Sequence, residues 1–118
     1  DNDTTLGWWR HLKQQEDDAS LREAAFARRY LALNGSDDRS FTWEAIRAVV
    51  SSVADLAVVP IQDVLNLGSE ARMNQPGLVE NNWAWRLRHD ALSDELADRL
   101  RGLTITYGRA LEQEAEPA

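Results

Sequence analysis

Apolar residues recur at three- and four-residue spacing in the first third of the chain, which is the pattern of helices with one buried face. This spacing predicts a first helix at residues 4–15, which Asp3 or Thr4 can cap. A second helix is predicted to begin at the capping box that Ser20 opens and to stop at the left-handed pair 34–35. The chain is therefore expected to open with two short amphipathic helices.

The same spacing predicts two further helices. Thr42 can cap the third, and a long fourth helix at residues 93–113 carries leucines and a tyrosine on one face. The apolar stripe of the third helix consists of Trp43, Ile46, Val50 and Val53. Because Trp9 and Trp43 both fall on helix stripes, we expect them in the core.

Residues 56–60 form an apolar run without polar alternation, which predicts a strand buried on both faces, as in a parallel sheet covered by helices. Nothing else in the sequence looks able to pair with it. Since unsatisfied buried backbone groups cost about 1–3 kcal/mol each, this strand predicts a sheet whose other strands lie outside the chain. The expected fold class is mostly α with one short β-strand, incomplete as an isolated chain.

A polar segment follows this run. Residues 61–67 predict a short helical turn closed by Gly68, with Asp63 favoured as its cap. The next part, residues 69–89, is a loop of about twenty residues, a length at which loops are usually functional or disordered. Two tryptophans within it favour order.

Composition narrows the classes of partner. The net charge of -7 repels phosphate backbones and anionic lipid, so neither nucleic acid nor a membrane surface is expected as a partner. The chain has no cysteine, and its two histidines, His11 and His89, show no ligand spacing with carboxylates, so we expect no metal and no cofactor. A neutral ligand suits this charge better.

The first nine residues, Asp-Asn-Asp-Thr-Thr-Leu-Gly-Trp-Trp, combine carboxylates and amides with flat apolar rings. Carboxylates and amides exchange hydrogen bonds with hydroxyls, and a sugar ring lies well on an indole, so this run has the chemistry of a carbohydrate site. The pattern alone still favours a plain role for Asp1, as an exposed terminal residue or a helix cap. The start on Asp1 in place of Met leads us to expect that the chain begins within a motif of a longer protein.

The nine-residue run resembles the Asp-Asn-Asp-Thr-Thr-x-Gly-Trp-Trp signature of the 4-alpha-glucanotransferases, the amylomaltases or disproportionating enzymes. Three later segments resemble the closing part of that family in the same order, and they read PIQDVL from Pro60, LGSEARMNQPG from Leu67 and NWAWR from Asn82. One departure is Asn81, where we expect Gly in the family. Asn tolerates a left-handed backbone better than most residues.

The resemblance implies the C-terminal portion of a (β/α)8 TIM barrel of the α-amylase type. In that frame the chain, residues 1–118, comprises the loop after strand 7, helical region 7, strand 8 near 56–60, an active-site loop at 69–89 and helix 8 near 93–113. The parent enzyme would be cytoplasmic. It would transfer α-1,4-glucan segments between maltooligosaccharide or starch chains by a retaining double displacement.

The resemblance also implies roles for four residues. Asp1 matches the catalytic aspartate after strand 7, which stabilises the transition state through the hydroxyls of the sugar. Asn74 matches the loop after strand 8, where its amide can meet sugar hydroxyls as donor and acceptor. We expect Asn2 and Pro76 as further substrate-binding residues.

The family's nucleophile and general acid/base belong to earlier strands, and nothing in this sequence matches their motifs. A retaining transfer needs two carboxyl groups about 5–5.5 Å apart across the scissile bond. With the remainder of the barrel missing, the chain alone is expected to be inactive. The alternative is a small acidic helical protein-interaction module, which explains the helices but not the strand, the start on Asp1 or the loop at 69–89.

Overall fold

The structure is a computed structural model and describes residues 1–33 and 38–111. Its helices are α1 Thr5–Gln14, α2 Asp18–Tyr30, α3 Asp38–Val50, α4 Ile61–Val64 and α5 Asp94–Thr106, with a 3₁₀ helix at Ser69–Ala71 before α5. The described residues contain no strand. The expected class, mostly α, is confirmed, and the expected single strand is wrong.

Helix α1 forms where the spacing predicted it. The side chain of Thr4 caps it by accepting from the N–H of Gly7 at 3.0 Å. Its buried face carries Trp9, which stacks on Phe41 of α3 with ring centroids 4.1 Å apart. A first core cluster consists of Trp9, Leu12, Ala24 and Phe41, and it holds α1 against α2 and α3.

Helices α2 and α3 both begin earlier than predicted. Asp17 caps α2 by accepting from the N–H and the hydroxyl of Ser20, and these bonds lower the pKa of the Asp17 carboxyl. In α3 the side chain of Asp38 accepts from the indole N–H of Trp9 at 3.2 Å, which holds Asp38 in the first turn. Thr42 therefore lies buried inside the helix. The predictions of Ser20 and Thr42 as starting residues are wrong.

Three of the described helices are followed by a residue with a left-handed backbone, which allows an N–H just after the helix to donate to a carbonyl of the last turn. Ala32 with φ 53° closes α2, Asn66 with φ 55° closes α4, and Gly108 with φ 72° closes α5. The expected stop of the short helix at Gly68 is wrong, because Asn66 supplies it two residues earlier. The predicted ends of α2 at 34–35 and of the last helix at 113 lie outside the described parts of the chain, and both are wrong, because α2 ends at Tyr30 and α5 at Thr106.

Helices α3 and α5 enclose a second core cluster. Trp43, Ile46 and Val64 form its centre, and three residues of α5, Leu96, Leu100 and Leu103, pack against it. The hydroxyl of Ser93 caps α5 by accepting from the N–H of Leu96. Trp9 and Trp43 are both buried, as their helix stripes predicted, whereas Val53 at the end of the third stripe is exposed.

Residues 56–60 are irregular, although the sequence predicted a buried strand there. Leu56 and Val58 are 78% and 76% exposed, and Val59 packs against the second cluster. A strand needs a partner for its backbone ladder, and no described segment supplies one. The segment just before residues 56–60 is held by Arg109, whose guanidinium donates to the carbonyls of Val50 and Ala54, each at 2.7 Å.

A single buried carboxylate fixes the position of α1. Asp63 of α4 is 7% exposed, and its two oxygens accept from the backbone N–H of Thr5 at 2.9 Å and from the Thr5 hydroxyl at 2.7 Å. The expected role of Asp63 as a cap of its own helix is wrong. It binds the positive N-terminal end of α1, although it lies 58 residues along the chain from Thr5.

Asp63→Ala removes the partner of two donors at the start of α1, so we expect the free energy of unfolding to fall by about 1–3 kcal/mol. Urea unfolding of the chain followed by tryptophan fluorescence measures it. Asp90→Ala is the control, because Asp90 is 79% exposed and its ion pair with Arg88 is long. Equal stability of the two variants would contradict the role of Asp63.

Candidate functional site

The residues before α1 lie against the segment that follows α4. The carboxylate of Asp3 accepts from the backbone N–H of Thr4 and, through its other oxygen, from the Ser69 hydroxyl, both at 2.8 Å. Asp3 therefore joins the beginning of α1 to the 3₁₀ helix, while Thr4 is the cap. The bond between Asp3 and Ser69 spans 66 residues of the chain.

Gly7 makes this approach possible. A Cβ at Gly7 would lie 2.3 Å from the Ser69 hydroxyl oxygen and 2.6 Å from a carboxylate oxygen of Asp3. Any side chain there would push apart two groups that bind each other. The sequence pattern gave no role to Gly7. An isolated glycine within a predicted helix can indicate close packing, and this was the one signal that pointed to it.

Asp1 and Asn74, two of the predicted site residues, are in contact. The side-chain amide of Asn74 donates to Oδ1 of Asp1 across 73 residues of sequence. Arg72 joins the same pair, since its Nη2 donates to the backbone carbonyl of Asp1 and its Nε donates to the carbonyl of Asn74 at 2.9 Å. We call Asp1, Arg72 and Asn74 the Asp1–Asn74 cluster.

The turn after Asn74 has the residues that a type II turn requires. The N–H of Leu78 donates to the carbonyl of Gln75 at 3.2 Å, Pro76 occupies the second position, and Gly77 has a φ of 87° at the third. Pro76 is exposed. It shapes the turn, but it does not line either of the clefts beside Asp1.

Asn82 holds this turn from the other side of the loop. Its side-chain oxygen accepts from the N–H of Gln75 at 2.8 Å, and its amide donates to the carbonyl of Leu78 at 2.9 Å. The preceding residue, Asn81, has a φ of 65°, a conformation in which Gly is the most common residue. Asn at this position keeps the backbone that the family resemblance implies.

Two clefts lie on either side of Asp1 and Asn2. One, of about 280 Å³, also reaches Gln62, Asp63 and Met73. The other, of about 500 Å³, also reaches His11, Ser69 and the ring of Trp8, which is 39% exposed. The two clefts offer carboxylates, amides, a guanidinium and one aromatic face, which are the groups that bind a neutral polyol.

The described residues hold no group of three or more histidine, aspartate or glutamate side chains arranged to bind a metal ion. No helix within residues 1–33 and 38–111 is long and apolar enough to cross a membrane.

The family model for 4-alpha-glucanotransferases matches residues 1–92. The chain belongs to this family. It is 48% identical over 106 residues to the 4-alpha-glucanotransferase of Thermus thermophilus, a match that covers 87% of the chain and 20% of that protein. With the chloroplastic/amyloplastic 4-alpha-glucanotransferase of Arabidopsis thaliana it is 44% identical over 112 residues, covering 92% of the chain and 18% of that protein.

A solved structure shows the same relationship. The amylomaltase from Streptococcus agalactiae in complex with acarbose superposes with a TM-score of 0.77 at 25% identity, covering 94% of this chain and 21% of that one. The 4-alpha-glucanotransferase resemblance read from the motifs is confirmed. The chain spans about a fifth of the length of these relatives.

Asn82→Ala removes the three side-chain bonds from Asn82 to the turn, each of which stabilises it by about 0.5–1.5 kcal/mol. We therefore expect the Gln75 amide to exchange with solvent faster in hydrogen-exchange NMR. Asn82→Asp keeps the acceptor for the Gln75 N–H and should keep that amide protected. Asn81→Gly is the control, since Gly adopts the same positive φ. Unchanged exchange of Gln75 in Asn82→Ala would show that the turn holds without Asn82.

Proposed function

We propose that this chain is the C-terminal part of the catalytic barrel of a 4-alpha-glucanotransferase, and that the complete enzyme transfers α-1,4-glucan segments between maltooligosaccharide or starch chains. The observation that carries the proposal is the contact between Asn74 and Asp1, the residue that lines two clefts. The family resemblance assigns these residues to different loops of one sugar site. The fold brings them together.

Asp1 acts in this proposal as the stabiliser of the transition state. The sugar ring flattens towards an oxocarbenium ion as the glycosidic bond breaks, and hydrogen bonds from its hydroxyls to a fixed carboxylate strengthen during that change. Asn74 supports the same ring, because an amide can both donate to and accept from hydroxyls. Asn2, exposed at both clefts, is a further contact to the glucan.

In the complete enzyme, residues 56–60 are proposed to form the eighth strand of the barrel. Two features support this. Leu56 and Val58 expose apolar side chains, and the chain spans about a fifth of the length of its relatives, so most of the partner strands belong to other segments. Val59 lies against the cluster between α3 and α5, the two helices that bracket a strand at this place in a barrel.

A carbohydrate ligand is supported by the acarbose complex of the Streptococcus agalactiae amylomaltase. The carboxylates of Asp1 and Asp3 and the amide of Asn2, which line both clefts, are groups that bind the hydroxyls of a neutral sugar. The cytoplasmic location implied by the resemblance stays a prediction.

The isolated chain should not disproportionate maltotriose, because a retaining transfer needs a nucleophile and an acid/base and the chain supplies only the third carboxylate. Anion-exchange chromatography of the digest checks this, with the Asp1→Asn chain as the background control. Glucose and longer maltodextrins formed above that background would contradict the assignment.

In the complete enzyme, Asp1→Asn keeps the shape of the side chain and removes its charge. We expect kcat for maltotriose disproportionation to fall by about 10²–10³, the usual cost of one lost transition-state contact. Asp90→Asn is the matched control, since Asp90 is exposed and pairs only loosely with Arg88. Turnover of Asp1→Asn close to that of the control would refute the role of Asp1.

A further inference from the structure

Arg72 reaches two parts of the candidate site with one side chain. Nη2 donates to the backbone carbonyl of Asp1, and Nε donates to the backbone carbonyl of Asn74 at 2.9 Å. The two carbonyls belong to segments more than 70 residues apart in sequence, and the guanidinium joins them directly. The position of the guanidinium is therefore set both by Asn74, two residues along the chain, and by Asp1, 71 residues away.

The Asp1 carboxylate is held through one of its two oxygens, since the Asn74 amide donates to Oδ1. One oxygen is thus held by the protein, and the other can accept from a ligand hydroxyl. The direction of Oδ2 depends on the distance between the Asp1 and Asn74 backbones, which is the distance that Arg72 spans.

We infer that Arg72 is a positioning residue for glucan transfer, which fixes the Asp1 and Asn74 backbones so that the Asn74 amide orients the Asp1 carboxylate towards the sugar. This inference rests on the proposed function and adds to it a residue that lines both clefts but acts on the reaction through the two backbones that it holds. Arg72 acts through Asn74 on Asp1.

The chemistry of the side chain explains why Arg occupies this position. A guanidinium is planar and presents donors in several fixed directions, so one group can hold two carbonyls at a set separation. A lysine ammonium is a compact point charge on a flexible stem, and it would bind one carbonyl and leave the other free. Arg72→Lys therefore keeps the charge and removes the cross-link.

The test uses the complete enzyme with maltotriose as substrate. Arg72→Lys should lower kcat by about 10–100-fold, since a misplacement of about 1 Å costs roughly 10² in rate, while KM changes less than about threefold. In an Asn74→Ala background the same change should cost less than about threefold, because residues that act through one contact are not additive. Arg22→Lys, the same substitution at an exposed position of α2, should leave both constants unchanged.

Three results would overturn the inference. The Arg72→Lys enzyme could keep the native kcat, Arg72→Lys could lower kcat equally in the wild-type and Asn74→Ala backgrounds, or the substitution could change KM alone. If the lysine variant does not fold, Arg72→Gln is the second variant, because a neutral glutamine amide can bind one carbonyl but not both. We expect it, too, to lower kcat and to leave KM nearly unchanged. A wild-type enzyme without transfer activity would refute the proposed function itself, whereas an active wild type with neutral Arg72 variants would refute only the role of Arg72.

Discussion

The bonds from Asp63 to the N–H and hydroxyl of Thr5 determine where α1 begins, and the rest of the candidate site depends on that position. With the first turn of α1 fixed over α4, Asp3 reaches Ser69 and Asp1 reaches Asn74. A buried carboxylate at a helix N-terminus is well suited to this role, because it meets both unsatisfied backbone donors and the positive end of the helix dipole. The site thus follows from the docking of one helix end.

The sequence predicts the helices well and their ends less well. Apolar spacing places Trp9 and Trp43 in the core because burial follows helical period directly. Starting residues depend on partners elsewhere in the chain, and the bond from the Trp9 indole to Asp38 moves the beginning of α3 ahead of Thr42, which local cap preference indicated. The strand at 56–60 fails for the same reason, since an apolar run forms a strand only when a ladder partner is present.

For the candidate site, the motifs identify Asp1 and Asn74, and the contact between them can be found only in the fold. Spacing rules connect neighbours in sequence, and these two side chains lie 73 positions apart. Arg72 and Asn82 were missed because their bonds follow no helix-cap or spacing rule: Arg72 also reaches the Asp1 carbonyl 71 positions away, and Asn82 binds back to Gln75 and Leu78 across a turn. Arg72 lies in a motif that the resemblance quotes, but its role becomes visible only when its two carbonyl partners are known.

Helix α3 contributes to both core clusters from positions two residues apart. Phe41 stacks on Trp9 in the first cluster, and Trp43 packs with Ile46 and Val64 in the second. Residues two positions apart on a helix point to nearly opposite sides, so α3 lies between two small cores and belongs to both. If α3 unfolds, both clusters lose part of their packing. A core substitution on either face of α3 should be felt in hydrogen-exchange protection on both sides, so the two halves behave as one foldon.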